Sequence, residues 1–435
     1  MEVSLDKIAQ DCITAISERI KNLNTLNIIV AGKTGVGKST LINSMFRDNL
    51  AETGIGKPVT QHMRKISKKG IPLNIYDTKG FELGKDAQKE VKKEILDTIK
   101  SGMSGTDVNK AIHCIWYCIN TASNRVEPEE IEWLRDLAKE NSVTEVPVII
   151  VLTQAFSKPN AEQMKKLIQD ENLDIVQVVP VLAQDFVFDE SLPPIKAYGL
   201  DALLAVMTEV LPEELQDTLQ SVQIASLKAK KKRAQVAVAT ATATAFGEGF
   251  APIPFADSAL LIPTQVAMIA SITAIYGLDI NKSIITAFVS SALGTGGATI
   301  AGKTIAANLL KLVPGAGTVL GGTISGATAG IITTALGEAY IMLMEAIYKG
   351  DLKASELGTA EGKKKLKDLF KKKIKETTKD DVEKNLELAN DAELLAIEEV
   401  VADESAEDVL ADKNTTVVDG ATNEDELISE NPQKN

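Results

Sequence analysis

The octapeptide Gly32-Lys33-Thr34-Gly35-Val36-Gly37-Lys38-Ser39 constrains this chain more than any other stretch, because it lies between the apolar run LNIIVA (residues 26–31) and the helical pattern STLINSMF. The order is strand, glycine loop, helix, and the spacing fits G-x-x-x-x-G-K-[ST]. Each residue type has a reason to be there. Glycines let backbone N–H groups turn inward around a phosphate, and the helix N-terminus favours negative charge. Lys38 neutralises β and γ oxygens, and the Ser39 hydroxyl is a ligand for Mg²⁺. Gly32, Lys33, Thr34, Gly35, Val36, Gly37, Lys38, Ser39 and the following Thr40 are the expected nucleotide-binding set. More strand-like runs occur at 71–76, 111–119, 146–152 and 175–182, separated by charged helical stretches at 86–100, 128–140 and 161–170. This alternation predicts an α/β phosphate-loop domain over residues 24–215, a doubly wound, mostly parallel sheet with helices on both faces.

With these motifs in place, residues 24–210 resemble the Era-like and immunity-related branch of small GTPases. The resemblance implies that Thr60, in GIGKPVT, closes on the γ-phosphate and Mg²⁺. It implies that Asp77 of the D-x-x-G motif Asp77-Thr78-Lys79-Gly80 holds a Mg²⁺-bound water, and that the Gly80 N–H senses the γ-phosphate. Lys38, Thr60 and Gly80 are thus the implied catalytic residues, Ser39, Thr60 and Asp77 the metal set, and GTP or GDP with Mg²⁺ the cofactors. Two departures predict slow turnover, with GTP held as a switch. Phe81 stands where many such GTPases have a glutamine that orients water, and Gly35 stands where potassium-activated relatives carry an asparagine.

Base recognition departs further. The family's N/T-K-x-D motif is here Thr153-Gln154-Ala155-Phe156, so the aspartate that accepts guanine N1–H and N2–H is missing. A site without that acceptor loses its penalty against adenine. Thr153 and Gln154 remain base-side candidates. Ala183, in Leu182-Ala183-Gln184, takes the position of the S-A-K motif, whose central N–H contacts guanine O6. GTP is expected over ATP, and broad specificity stays open. Trp116, Tyr117 and Trp133 are read as packing residues, and His62 and His113 as structural.

Beyond residue 215 the composition changes. Between Ala234 and Gly337 the only charges are Glu248, Asp257, Asp279, Lys282, Lys303 and Lys311, and the uncharged intervals 258–278, 283–302 and 312–337 contain 21, 20 and 26 residues. A bilayer-spanning helix needs about 20. Gly317 with Gly321, and Gly322, Gly326 and Gly330, have the four-residue spacing that lets helix backbones approach closely. Pro252, Pro254, Pro263 and Pro314 would break or kink such helices. Residues 250–345 resemble a membrane-associated domain of unknown function often attached to Era-like GTPases, which implies an all-α, Gly/Ala-rich unit at a membrane. A tightly packed soluble bundle is the other reading of the same residues.

Basic clusters flank the block, KAKKKR at 228–233 and KKKLKDLFKKKIK at 363–375, and anionic lipid headgroups are the expected partner at about 1 kcal/mol per basic residue. No aromatic interleaving accompanies them, so direct nucleic-acid binding is not expected. The net charge of −13 is concentrated at the end of the chain, where Asp380–Glu430 holds 18 acidic residues and two lysines. That tail is expected to be disordered. Three cysteines in 435 residues imply no disulfide framework, and the charged N-terminus has no signal-peptide core.

The expected organisation is an amphipathic helix (1–23), the nucleotide domain (24–215), an apolar helical domain (216–350), a basic helix (351–379) and an acidic tail (380–435). The expected location is the cytoplasmic face of a membrane, not a secreted one, with self-association through the nucleotide domain or the glycine-rich helices. The function this organisation favours is a slow Mg²⁺-dependent GTPase switch that controls the helical domain. A structural or pore-like nucleotide-binding membrane protein with negligible hydrolysis, and a soluble signalling GTPase, are the alternatives.

Overall fold

In the computed structural model the chain opens with helix α1 (Leu5–Lys21) and then alternates β1 (Leu26–Gly32), α2 (Lys38–Met45), β2 (Ile55–Pro58), β3 (Met63–Ser67) and β4 (Leu73–Thr78). It continues through α3 (Gly84–Met103), β5 (Cys114–Asn120), α4 (Pro128–Asn141), β6 (Val148–Thr153), α5 (Lys158–Asp170), β7 (Gln177–Pro180), α6 (Leu200–Val210) and α7 (Glu213–Val222). The structure describes residues 5–391, leaving out 48–49, 51–54, 59, 61, 79–83, 104–106, 124, 143, 190, 192, 249–252, 255–260, 279, 294–322, 325, 354–355 and 358.

The sheet order is β2-β3-β4-β1-β5-β6-β7. Strands β4, β1, β5, β6 and β7 pair in parallel, and β2 and β3 add an antiparallel hairpin at one edge. Alternation along β1 shows why the sheet is covered on both sides. Ile28 and Val30 enter one core with Leu41, Met45 and Trp116, whereas Ile29 and Ala31 enter the other with Val91, Leu134 and Met164. A strand buried on both faces reads as an unbroken apolar run, as β1 does. The hairpin escaped sequence reading because β2 is only IGKP and β3 is the largely polar MRKIS. Trp116 stacks on Phe46 at 5.6 Å and 7°, which adds about 1 kcal/mol to its area burial.

The second half is helical: α8 (Leu227–Glu248), α9 (Leu261–Tyr276), α10 (Lys282–Leu293), α11 (Gly326–Lys349), α12 (Ala360–Glu376) and α13 (379–391). Helix α8 carries an Ala-Thr alternation that looks strand-like by period. It is helical because small residues are needed where α11 approaches: a Cβ at Gly337 would come within 2.5 Å of Val238. The exposed hydroxyls of Thr240 and Thr244 return to carbonyls four residues back, Val236 O at 3.1 Å and Thr240 O at 3.0 Å. The buried ones pair between helices, Thr242 with Thr334 at 3.0 Å and Thr273 with Tyr340 at 2.7 Å.

Several expectations change here. Helix α1 does not stand apart, since Ile8, Ala9, Cys12 and Ile16 are part of the helical core. The first residues of the expected disordered tail form α13, because Val382 and Leu386, one helical turn apart, dock on that core and Asn385 donates to Thr334. Residues 392–435 lie outside the described residues. So do Gly317, Gly321, Gly322, Pro252 and Pro314. Gly330 does serve close approach, with Val382 2.9 Å from where its Cβ would be. Pro263 neither breaks nor kinks α9, because it sits in the first turn, where no intrahelical N–H is needed.

Among the described residues one helix, α11, is long and apolar enough to cross a membrane, and 78% of that apolar window is buried inside the protein. Helix α9, from the interval 258–278, has 16 residues and ends at Gly277, whose φ is 64°. The glycine's left-handed conformation stops the helix short of a bilayer's thickness.

Candidate nucleotide site

The loop between β1 and α2 is shaped by close approach and by left-handed glycines. A Cβ on Gly32 would lie 2.4 Å from the Cys118 carbonyl oxygen, so only glycine lets β1 end against β5. Gly35 and Gly37 have φ of 75° and 97°, and Gly37 is the N-cap of α2. Val36 points into the core and pins the loop from below. Lys38 Nζ donates to Gly32 O at 2.9 Å and to Lys33 O at 3.1 Å, which holds the ammonium against the loop it is expected to serve. Ser39 and Thr40 are exposed on the first turn of α2. Their N–H groups lie at the positive end of this helix.

Lys33 is turned towards α4, with Nζ 3.1 Å from Glu127 and 2.9 Å from Glu130. Desolvation works against its charge, but the hydrogen bonds and charges of Glu130 and then Glu127 raise the amine above its ordinary value. Tyr117 O–H donates to the other Glu130 oxygen at 2.9 Å, so this tyrosine helps to orient a residue that ties down the phosphate loop. Its phenol is driven well up by burial and then by the Glu130 charge.

The base side docks onto the loop from β6. Thr153 Oγ1 lies 2.5 Å from Val36 O and 3.1 Å from Ile119 O, and Gln154 Nε2 donates to Gly35 O at 3.0 Å. Gln154 takes a left-handed φ of 53°, and the Thr121 hydroxyl secures it by donating to Gln154 O at 2.8 Å. Phe156, where the resemblance places an aspartate, packs on Phe186 with ring centroids 4.2 Å apart. Tyr198 O–H donates to Ala155 O at 2.8 Å, and Leu182 bridges to Tyr198, which sets the half-buried Ala183 beside this aromatic wall.

The metal-side residues are placed differently. Asp77 ends β4, 8% exposed, with Oδ2 accepting from Arg64 Nε and Nη2 at 2.9 Å each. Asp77 Oδ1 is buried with no hydrogen-bond partner among the described residues. Thr60 is turned towards α3, its hydroxyl donating to Glu94 at 2.5 Å while also accepting from Met63 N at 3.1 Å. Gly80, Lys79 and Phe81 lie outside the described residues. His62 is structural, with Nδ1 3.1 Å from Glu94, and so is His113, whose Nδ1 accepts from Asn27 N at 3.0 Å. Arg64, Glu94, Glu130 and Thr121 carry no signal in the sequence, since each reaches the site from a different element.

Residues 22–186 match the Septin family model, and residues 209–379 match a domain of unknown function, DUF697. The first half is similar to septin GTPase domains and has the fold of an α/β P-loop domain. The chain is 28% identical to Septin-4 of Macaca fascicularis over 166 residues, which cover 33% of this chain and 34% of that protein. It is 25% identical to human Septin-12 over 185 residues, covering 37% of this chain and 50% of that one. The match therefore spans half or less of the length of these relatives. The crystal structure of Toc33 from Arabidopsis thaliana in complex with GDP and Mg²⁺ is similar at 19% identity and TM-score 0.27, covering 47% of this chain and 91% of Toc33. The similarity is thus to septins where the motifs resemble the Era-like branch, and the helical half matches a domain without an assigned activity.

Proposed function

We propose that the chain binds GTP and GDP with Mg²⁺ and hydrolyses GTP slowly, as a switch whose state is passed to the helical half. The observation that carries this reading is the docking of Thr153 and Gln154 onto the Val36 and Gly35 carbonyls, which joins base side and phosphate side into one cradle. The residues present suit Mg²⁺. Ser39 offers an exposed hydroxyl at the helix N-terminus, and the partnerless Asp77 Oδ1 is a buried acceptor aligned with the end of β4. These two, with Thr60 once it leaves Glu94, would hold the ion, which supplies charge neutralisation between β- and γ-phosphates when bound. Lys38 binds the phosphate oxygens and the α2 N-terminus orients them. The roles of Gly80 and Phe81 stay with the sequence reading.

Specificity is where this site differs from the family pattern. Phe156 offers a π-face and no acceptor, so guanine is held by stacking and by the Ala183 N–H. Competition between GTP and ATP for the full-length protein tests the reading. GTP is expected to win by a modest margin, and Phe156→Asp is expected to widen that margin by about 10- to 100-fold by restoring a paired acceptor. ATP binding tighter than GTP would refute the guanine assignment.

Membrane contact is the second part of the proposal, at the cytoplasmic face. The KAKKKR cluster contributes less than its composition suggests. Lys230 is buried, Lys231 pairs with Glu345, and Arg233 pairs with Asp217 and Glu213. Helix α12 is the better candidate surface, with Lys364, Lys365, Lys372 and Lys375 exposed. Flotation with anionic vesicles at low salt is expected to recover the protein, and replacing these four lysines with glutamine is expected to weaken recovery strongly, at about 1 kcal/mol for each residue. Equal recovery of both proteins would remove α12 from the contact.

A further inference from the structure

Asp77 and Thr60 are both held by charges of the protein itself. Arg64 stands opposite Asp77 in the β3–β4 register. Its guanidinium places two donors on Oδ2, at 2.9 Å each, and leaves Oδ1 empty-handed in a buried position. The carboxylate is screened from water, so a full positive charge beside it counts for more than a surface pair would. Across the hairpin turn, Glu94 Oε2 accepts from the Thr60 hydroxyl at 2.5 Å and from His62 N at 3.2 Å. The Thr60 hydroxyl spends its proton on Glu94 and one lone pair on Met63 N, which fixes it towards α3. Arg64 thus puts an internal positive charge on Asp77, while Glu94 holds Thr60 towards α3.

We propose that Arg64 is an internal counter-ion that competes with the divalent cation for the charge of Asp77, so that Mg²⁺ loading is weakened while the Arg64–Asp77 pair is closed. The inference rests on the metal-side roles given above to Asp77 and Ser39. Arg64 is a positioning residue that acts through Asp77. It weakens the metal twice, by occupying an acceptor and by placing like charge near the ion. The cost keeps the Mg²⁺-bound state dependent on nucleotide phosphates being present.

The test is a Mg²⁺ titration of the release rate of a fluorescent GDP analogue from the full-length protein, with melting temperature recorded for each variant. Arg64→Gln is expected to lower the half-saturating Mg²⁺ concentration by about three- to tenfold. Arg64→Lys keeps the charge but loses the two-donor fork, and is expected to shift it in the same direction by about twofold. This second variant reports if the glutamine form does not fold. A half-saturating concentration that is unchanged or higher in a variant that melts normally overturns the competition alone. Release that ignores Mg²⁺ in the unmodified protein, and equally in Ser39→Ala, overturns the metal-site reading and the competition with it.

Discussion

Lys38→Ala is expected to weaken nucleotide binding by about a hundredfold, the loss of a charge-assisted contact worth ~3 kcal/mol. The ammonium is already aimed at the loop, 2.9 Å from Gly32 O and 3.1 Å from Lys33 O, so little reorganisation precedes phosphate binding. The neighbouring Lys33 is turned to Glu127 and Glu130 and does not substitute for it. The fold should survive the change, because Val36 in the core and Thr153 on its carbonyl hold the loop independently. Titration with a fluorescent GDP analogue, alongside a thermal melt, measures both. A variant that binds with unchanged affinity would refute the phosphate-loop assignment.

The largest stability effect is expected at Lys230. Its ammonium donates to the Gln220 carbonyl and, at 3.0 Å, to Ile275 O, and lies 5.7 Å from the centre of the Tyr348 ring. It therefore joins the C-terminal ends of α7 and α9. Burial, and then the charge of Arg47, push the amine down from 10.5 to about 7. The sign follows from proton counting. Between pH 7 and 10.5 the unfolded chain holds a proton that the folded one has released, so stability is lowest below pH 7 and rises as pH climbs. The full gain is about 5 kcal/mol, with a slope of at most ~1.4 kcal/mol per pH unit. Lys230→Met is expected to remove that slope, while leaving two carbonyls short of a donor at ~1–3 kcal/mol. Urea unfolding of both proteins at pH 7, 8 and 9 gives the comparison, and parallel curves would show that the amine stays charged in the fold.

Lys230 matters for function because of its neighbours. Arg47, two residues past the end of α2, donates to Gly277 O at the end of α9, and Ile224 N donates to Met45 O at 2.8 Å. The helix that begins at the phosphate-loop motif thus ends, at its other terminus, on the helical half. This continuity is what supports the proposed coupling of the two.

The nucleotide domain was largely legible in the sequence because its signals are local. Glycines that must take positive φ, a lysine and a hydroxyl at fixed offsets, and strands buried on both faces all leave marks within a few residues. Thr153 and Gln154, singled out by their motif position, lie against the loop at Val36 O and Gly35 O. The helical half was less legible. An uncharged interval long enough for a bilayer and a helix buried in a protein core have the same composition, and α11 is largely enclosed by its neighbours. KAKKKR shows the same ambiguity with charge, because a lysine run does not reveal which of its members turns inward.

The sequence by itself determined the phosphate loop, the parallel α/β domain and the missing guanine-reading aspartate, each a matter of residue type at short spacing. Only the tertiary structure decided the partners of those residues. It turned Lys33 to Glu130, Asp77 to Arg64 and Thr60 to Glu94, and it filled the place of the aspartate with a Phe156–Phe186 pair. These partners lie 13 to 97 residues away in the chain. Contacts over such separations are set by the packing of whole elements, and so leave no periodicity in a single sequence.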